Sequence, residues 1–234
     1  AAYLGYYDSY SLLKEYSIKR QQFAVSLWTH FVLSTGSVLA AAGIAIPLGY
    51  VAYKKRGWED RVMVPLGIIE TIPSLSLFGL LLVPLSALGS LSIFKALGVS
   101  GIGWAPAFVA LTLYALLPIA RNTLSGFNSL DRAAVDAAKG MGMSPSEVLL
   151  KIELPLALPV LFTGIRIALV QTIGGAVLAG LVGGGGLGSF VFLGLAEAST
   201  DLVLLGVIPI VLFTIWVDGG LRFMERSIRR AVYD

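Results

Sequence analysis

Cysteine is absent from this chain, and histidine occurs once, as His30. Disulfide bonds and thiolate metal sites are therefore excluded, as is a zinc or haem site built from several histidines. Charged residues are also scarce, at 13% of the 234 residues, whereas a soluble domain has about 25%. Hydrophobic residues account for 56%, and the mean hydropathy is +0.84. This composition predicts an integral membrane protein.

Five apolar segments approach or reach the length of about 20 residues that an α-helix needs to cross a bilayer. They cover approximately residues 31–53, 62–83, 105–120, 160–182 and 202–217. We expect Pro118 to kink the third segment and Pro209 to break the fifth. The predicted fold class is therefore an all-α integral membrane protein with about five transmembrane helices and one long polar loop.

This pattern predicts three regions. Residues 1–29 form an N-terminal arm, residues 30–220 form the transmembrane domain with its polar loop at 121–158, and residues 221–234 form a basic tail. The arm suits either a helix at the bilayer interface or a solvated extramembrane segment, since aromatic residues favour interfaces. The residues expected at an interface are Tyr3, Tyr6, Tyr7, Tyr10, Tyr16, Trp28, His30, Trp58, Trp104 and Trp216.

Basic residues near the ends of the spans predict the orientation, because they are enriched on the cytoplasmic side. Twelve of them fall on the side of the polar loop: Lys54, Lys55, Arg56, Arg61, Arg121, Arg132, Lys139, Lys151, Arg222, Arg226, Arg229 and Arg230. The opposite side has four: Lys14, Lys19, Arg20 and Lys95. We therefore expect the polar loop and the C-terminus to be cytoplasmic and the N-terminus to lie outside.

The polar loop contains the signals of two short helices joined by a glycine turn. Asp131 can cap the first helix by accepting from the free N–H groups of its first turn. Gly140 and Gly142 can end it, because glycine adopts the left-handed conformation at little cost. Ser144, followed three residues later by Glu147, predicts a capping box at the start of the second helix. The second helix has one apolar face and an expected proline end: Val148, Leu149, Ile152, Pro155 and Pro159.

The spacing in this loop resembles the cytoplasmic motif of the permease subunits of ABC importers. That motif reads Glu-Ala-Ala, three residues, Gly, nine residues, then Ile, any residue, Leu-Pro. The matching positions here are Asp136, Ala137, Ala138, Gly142, Ile152, Leu154 and Pro155. The one departure is Asp136, which keeps the charge of glutamate on a shorter side chain. An ordinary amphipathic connector that caps the flanking spans is the alternative interpretation.

The resemblance implies a type I ABC importer permease fold in which these seven residues form a coupling helix that docks on a separate ATPase. It implies no cofactor on this chain, with ATP and magnesium held by the ATPase subunits. It also implies a second permease chain, identical or paralogous, and an extracytoplasmic substrate-binding protein, with no nucleic acid. The expected location is the bacterial inner membrane. No phosphate-binding loop is visible, since no Lys-Ser or Lys-Thr pair follows a glycine run.

Three further stretches resemble the osmoprotectant branch of that family, which imports glycine betaine, choline and carnitine. They lie at residues 70–75, 113–123 and 140–159. The glycine-rich segment at 183–188 is shared with methionine importers, so it does not distinguish the osmoprotectant branch from them. An importer of another small solute, such as an amino acid, is therefore the nearer alternative. A secondary transporter working without ATP is the more distant one, and the sparse intramembrane acids argue against it.

Five residues are candidates for a gate or pore: Glu70, Pro73, Arg166, Gly183 and Gly184. Glu70, Arg166 and Asp218 are the charges nearest the hydrocarbon. Charges inside a span need a partner, which suggests an interhelical ion pair, for example Glu70 with Arg166, that breaks as the pore opens. A static pair, or side chains that extend to the interface, is the alternative. The glycine run is expected to be irregular backbone near an outer gate, or otherwise a site of close packing between small residues.

Overall fold

The computed structural model describes residues 8–55, 57–96 and 98–233, and every regular element in this part of the chain is helical. The α-helices are α1 (Asp8–Lys54), α2 (Glu59–Thr71), α3 (Ser74–Gly89), α4 (Ser92–Ala96), α5 (Trp104–Asn128), α6 (Arg132–Gly140), α7 (Pro145–Val148), α8 (Leu154–Gly175), α9 (Gly188–Ala196) and α10 (Thr200–Tyr233). A π-helical turn, Leu149–Glu153, joins α7 to α8, and a 3₁₀ helix, Ala176–Val182, follows α8. The predicted all-α class is confirmed.

Four stretches of the described chain are long and apolar enough to cross a membrane: Glu15–Lys54, Trp104–Asn128, Pro145–Val182 and Thr200–Arg230. The pair α2 and α3 makes a fifth when it is counted as one broken span. The predicted number of spans therefore agrees with the structure, although their boundaries do not.

The second span is not the single helix predicted over residues 62–83. The helix is interrupted between Thr71 and Ser74, and the axes of α2 and α3 differ by 104°. Pro73 has φ −56° and ψ 134°, which is not helical. Proline also has no N–H and disfavours helical geometry in the residue before it, so the helix ends here and a new one starts. The segment is either a broken span or a re-entrant loop.

The other helices run further than hydropathy predicts. Helix α1 extends upstream of the predicted first span, with a bend at Lys19, and α5 continues past Arg121 to Asn128. Helix α10 passes through Pro209 without ending. Hydropathy marks where a helix leaves the bilayer, whereas local backbone hydrogen bonds decide where it ends. The polar extensions of these helices were therefore not predicted.

Tyr3, Tyr6 and Tyr7 of the N-terminal arm lie outside the described residues, and the two interpretations of the arm remain open.

A π-helical turn carries the second helix of the polar loop into the fourth span. Pro155 was expected to end that helix, but α8 begins at Leu154 and runs through both Pro155 and Pro159. Leu154 N–H donates to Leu149 O, five residues back. This wider turn removes the close approach of the Pro155 ring to the preceding carbonyls, which would otherwise break an α-helix.

One compact unit of the chain comprises residues 8–37, 72–112 and 171–216. Part of its core is formed by Phe190, Leu202 and Leu205, and Phe23 and Leu193 pack against them. The 3₁₀ helix and α9 approach closely through glycine. A Cβ atom on Gly180 would lie 2.6 Å from Ser189 N, and one on Gly188 would overlap the Val177 carbonyl. Small residues thus permit the backbones to touch.

The glycine run joins these two helices as irregular backbone, as predicted, whereas its place near an outer gate stays a prediction. Gly183, Gly185 and Gly186 have φ between +74° and +80°, a conformation that favours glycine. Their region keeps its backbone hydrogen bonds within the protein. Gly103 N–H donates to Val182 O at 2.7 Å, and Gly184 N–H donates to Ala179 O at 2.8 Å. Irregular backbone inside a membrane protein requires such internal partners.

The second compact unit comprises residues 38–71, 113–170 and 217–233. Its core is built largely from small and aliphatic residues of α1, α2, α5 and α8: Val38, Ala41, Ala45, Ala52, Val62, Leu66, Ala115, Leu116, Leu117, Ile119, Ala120, Leu124 and Ala168. Glycines bring these helices close together. A Cβ atom on Gly49 would lie 2.7 Å from Ala120 O, and one on Gly164 would lie 2.6 Å from Asn122 Cβ.

A buried ion pair joins the end of α1 to the π-helical turn in this second unit. Glu153 is 1% exposed, and its Oε1 accepts a hydrogen bond from Lys54 Nζ at 2.8 Å. The Lys54 ammonium also lies over the rings of Tyr50 and Tyr53, at 5.6 and 5.2 Å from their centroids. Both rings contact Phe127. The lysine is therefore held between aromatic faces and one buried carboxylate.

Replacing Gly188 with alanine should destabilise the first unit by about 1–3 kcal/mol, because the new methyl group overlaps the Val177 carbonyl. Gly174→Ala is the matched control, since a Cβ atom there meets nothing within 4 Å. Thermal unfolding of the purified variants in mild detergent measures the difference. Equal unfolding midpoints for the two variants would contradict the close helix approach.

Replacing Lys54 with methionine should lower the free energy of unfolding by about 2 kcal/mol, because the buried Glu153 carboxylate loses its partner. The loss is smaller than for a fully buried pair, since the Lys54 side chain is 42% exposed. Lys151→Met is the control. It breaks a solvent-exposed pair with Glu147, in which the two side chains are 63% and 45% exposed, and it should leave the unfolding midpoint nearly unchanged.

The double variant Lys54→Met with Glu153→Met should recover most of the stability in the same unfolding measurement, since two apolar groups need no charge partner. A double variant as unstable as Lys54→Met alone would show that packing, and not charge, holds the turn.

Candidate functional site

The first helix of the polar loop is capped at both ends by its own sequence. At its start, Asp131 accepts a hydrogen bond from Ala133 N–H at 2.9 Å, as predicted. At its end, Gly142 adopts φ +83°, while Gly140 is the last residue of α6. Gly142 N–H donates to Lys139 O at 2.9 Å and Met143 N–H to Ala138 O at 3.2 Å. This pair of bonds is a Schellman motif, and it reverses the chain after α6.

The second helix begins with the predicted capping box. Glu147 N–H donates to Ser144 Oγ at 3.4 Å, and Ser144 N–H donates to Glu147 Oε2 at 3.0 Å. Pro145 occupies the first helical position, where its missing N–H costs nothing. The turn between α6 and α7 is therefore defined on both sides by local hydrogen bonds.

Apolar side chains hold the two short helices against each other. Val135 and Ala138 of α6 form a buried cluster with Val148 of α7, and Met143 and Ile152 pack against it. Leu149, expected on the same face, packs instead with Phe127, Ala157 and Leu161. The loop thus forms a small folded element of its own, attached to α8 through the π-helical turn.

The seven residues of the predicted coupling motif fall into two groups within this element. Asp136, Ala137 and Gly142 are exposed, and Asp136 pairs with Lys139 at 3.4 Å. Ala138 is buried, and the remaining three are partly buried, Ile152 in the π-helical turn and Leu154 and Pro155 at the start of α8. The first group lies on the surface of the element, and the second group holds its shape.

Two exposed apolar side chains on this element were not singled out from the sequence. Met141, between the two glycines, is 76% exposed, and Leu150 in the π-helical turn is 63% exposed. An apolar residue in a glycine turn outside every predicted span was a signal that could have identified Met141. Glu153 was also missed, because the family motif places any residue at that position.

The candidate gate residues do not form the predicted ion pair. Among the described residues, no ion pair involves Glu70, which is exposed in the last turn of α2. Arg166 pairs with α10 instead. Its NH1 atom lies 3.3 Å from Asp218 Oδ1, and its Nε atom lies 3.2 Å from Glu225 Oε2. An interhelical pair therefore forms between Arg166 and Asp218. The example partner Glu70 was wrong, because the contacts of Arg166 depend on which helix packs beside α8, and a role of the pair in gating stays a prediction.

The five gate candidates also belong to different compact units. Glu70 and Arg166 lie in the second unit, whereas Pro73, Gly183 and Gly184 lie in the first. Gly183 forms an isolated parallel bridge with Gly103. Their proposed role in gating therefore remains a prediction for each residue separately.

His30 was expected at the bilayer interface, but it is buried inside the protein. It is 1% exposed, and its Nε2 atom lies 3.0 Å from Ile173 O. A Cβ atom on Gly186 would lie 3.3 Å from its Nδ1 atom. The glycine run therefore packs directly on this histidine within the first unit. Among the described residues, no group of three or more potential metal ligands is found.

Relatives of known function match most of the chain. The carnitine transport permease protein OpuCD of Listeria monocytogenes is 38% identical over 221 residues, covering 93% of this chain and 91% of its own. The choline transport system permease protein OpuBB of Bacillus subtilis is 34% identical over 204 residues, covering 87% of each chain. The osmoprotectant import permease protein OsmW of Salmonella typhimurium is 34% identical over 211 residues, covering 90% and 94%.

Solved structures show the same fold. An inward-facing form of the MetNI methionine ABC transporter superposes with a TM-score of 0.77 at 22% identity, covering 90% of this chain and 97% of its own. An amino acid ABC transporter with histidines gives a TM-score of 0.69 at 13% identity, covering 91% and 97%. These two structures support the predicted permease fold at the level of architecture.

The sequence profile described as "binding-protein-dependent transport system inner membrane component" matches residues 45–230. That match covers most of the chain and includes the whole polar loop. With several apolar helices, the chain is a multi-pass membrane protein. It belongs to the binding-protein-dependent family of permease subunits of ABC importers.

Proposed function

We propose that this permease imports a small osmoprotectant such as glycine betaine, choline or carnitine, and that it forms the gated path with a second permease chain. The proposal is supported by the relatives named for choline, carnitine and osmoprotectant transport, each at least 34% identical over most of the chain. The methionine transporter is only 22% identical to this chain. That similarity supports the fold alone, so an amino acid is the weaker candidate for the transported solute.

The observation that carries the coupling role is the small folded element at residues 131–155. Its polar surface contains exposed Met141 and Leu150. Apolar side chains exposed on a rigid, otherwise polar element mark a docking surface, because a partner that buries them gains free energy. A separate ATPase, which holds ATP and magnesium, docks on this element. Seven residues are assigned to coupling: Asp136, Ala137, Ala138, Gly142, Ile152, Leu154 and Pro155.

Rigidity of this element allows it to act as a lever. Its two turns are closed by a Schellman motif and a capping box, and its apolar cluster joins α6 to α7. Through Glu153 and Lys54 the element is tied to the end of α1 within the same unit. Closure of the ATPase pair then moves the element as one body, and the spans switch between inward-open and outward-open states.

The remaining partners follow from the family. An extracytoplasmic binding protein delivers the solute, and the second permease chain is identical or paralogous. The chain lies in a bacterial inner membrane, with its polar loop and C-terminus in the cytoplasm and its N-terminus outside. The excess of basic residues on the side of the polar loop supports this orientation.

Uptake into proteoliposomes tests the solute. The permease is reconstituted with its ATPase and binding protein, and labelled choline, glycine betaine, carnitine and methionine are offered at equal concentration. We expect ATP-dependent uptake of at least one of the first three and none of methionine. Uptake of methionine alone would overturn the osmoprotectant assignment, and uptake without ATP would overturn the coupling mechanism.

Gly142→Asp should weaken binding of the ATPase by about tenfold or more, since it puts a charge and a strained left-handed residue at the turn. Gly57→Asp is the matched control, because Gly57 also has a positive φ of +79° and open space around it but lies outside the motif. Co-purification of the ATPase with each tagged variant is the measurement.

Gly142→Ala separates backbone strain from the added charge, since it shares only the strain of φ +83°. It should retain more ATPase binding than Gly142→Asp. Normal ATPase binding and transport in Gly142→Asp would remove this loop from the coupling role.

A further inference from the structure

An arginine-lined cleft of about 270 Å³ lies between α8 and the end of α10, within the second unit. Arg166 of α8 lines one side, and four residues of α10 line the other: Arg222, Glu225, Arg226 and Arg229. This cleft is separate from the polar loop and from the glycine run, and the coupling mechanism makes no use of it.

The acidic side chains beside the cleft already form ion pairs with its arginines. Asp218 pairs with Arg166 at 3.3 Å through one oxygen and with Arg222 at 2.8 Å through the other. Glu225 lies 3.2 Å from Arg166 Nε and accepts from Thr163 Oγ1 at 2.9 Å. Four guanidinium groups therefore face two carboxylates, and no ion pair in the described residues involves Arg226 or Arg229. The cleft has an excess of positive charge.

Solvent screens part of this excess, because Arg226 and Arg229 are exposed, and a bound anion would neutralise it further. Arg222 and Arg226 are four residues apart on one helix face, and Arg226 and Arg229 are three apart, so their like charges repel. The helix dipole compensates basic residues only in the last turn, and α10 continues to Tyr233. Arg166 Nε is buried and makes no hydrogen bond of good geometry. Its charge is met by Glu225 Oε2 at 3.2 Å, so Arg166 is a desolvated cation at the wall of the cleft.

The chemistry of these donors selects the anion. A guanidinium presents a planar fork of N–H groups that matches two oxygens of one phosphate, whereas a halide offers a single point of contact. Arginines on two different helices can bind a phosphate from two directions. We propose that this cleft is a binding site for a phosphate group, supplied by the headgroup of an acidic phospholipid or by a free phosphate of the same charge.

The surroundings favour the phospholipid as the source. Helix α10 exposes Trp216 (75%), Phe223 (74%) and Met224 (51%) on either side of Arg222 along the chain. Exposed aromatic residues concentrate at the level of the lipid headgroups. Basic pockets between transmembrane helices bind acidic headgroups, and Arg166 belongs to the fourth span. This site goes beyond the proposed transport function, because binding requires neither the ATPase nor a solute.

Native mass spectrometry of the full chain in mild detergent tests the site. The probes are phosphatidylglycerol, zwitterionic phosphatidylcholine and inorganic phosphate. The test variant is Arg226→Gln with Arg229→Gln, since both side chains are exposed and hold no ion pair. The matched control is Lys55→Gln with Arg61→Gln, which removes the same charge from the second unit beside Trp58. Thermal unfolding of both variants confirms that they are folded.

We expect saturable binding of phosphatidylglycerol in preference to phosphatidylcholine. Affinity should fall about tenfold or more in the test variant and less than about twofold in the control. If inorganic phosphate binds with the same dependence on Arg226 and Arg229 and displaces the lipid, the site stands and its source is a free phosphate. Equal losses in the two variants would overturn the proposal, because they indicate only diffuse charge attraction. Failure of both phosphatidylglycerol and inorganic phosphate to bind would overturn it as well.

Discussion

Inside a bilayer no water is present to satisfy a backbone N–H or C=O group, and the rest of this structure depends on that constraint. At two of the places where the chain departs from an α-helix, it supplies a substitute partner. At the glycine run the substitutes are the carbonyls of Val182 and Ala179. At the polar loop the π-helical turn accommodates Pro155 and keeps Leu154 bonded to Leu149. At Pro73 one helix ends and the next begins, and there the direction of the helix axis changes by 104°.

Charge inside a membrane protein obeys a parallel rule, since an ion removed from water must meet another ion. Glu153 and Arg166 illustrate two outcomes. Glu153 is 1% exposed and is matched by one lysine, whose ammonium lies over two tyrosine rings. Arg166 pairs with two carboxylates, and one of them, Asp218, also pairs with Arg222, so charge remains unbalanced beside it. The first arrangement stabilises a turn, and the second leaves capacity for an anion.

Features that depend on near neighbours in the chain were predictable. The Asp131 cap, the left-handed Gly142 and the capping box of Ser144 with Glu147 each involve residues no more than a few positions apart. The same residue spacing led to the family, which the comparisons then established. The number of spans followed from hydropathy, because about 20 apolar residues are needed for each crossing.

Features that depend on residues far apart in the chain could not be predicted from the sequence. Lys54 and Glu153 are 99 positions apart, and Arg166 and Asp218 are 52 apart, so no local pattern could show that they pair. The burial of His30 against Ile173 and Gly186 is of the same kind. By itself, the sequence determined the class of protein, its polar loop and the caps of that loop, because these rest on composition and short-range hydrogen bonds. Only the tertiary structure decided which charges meet, since a charge inside the membrane takes whichever partner the packing of the helices brings within reach.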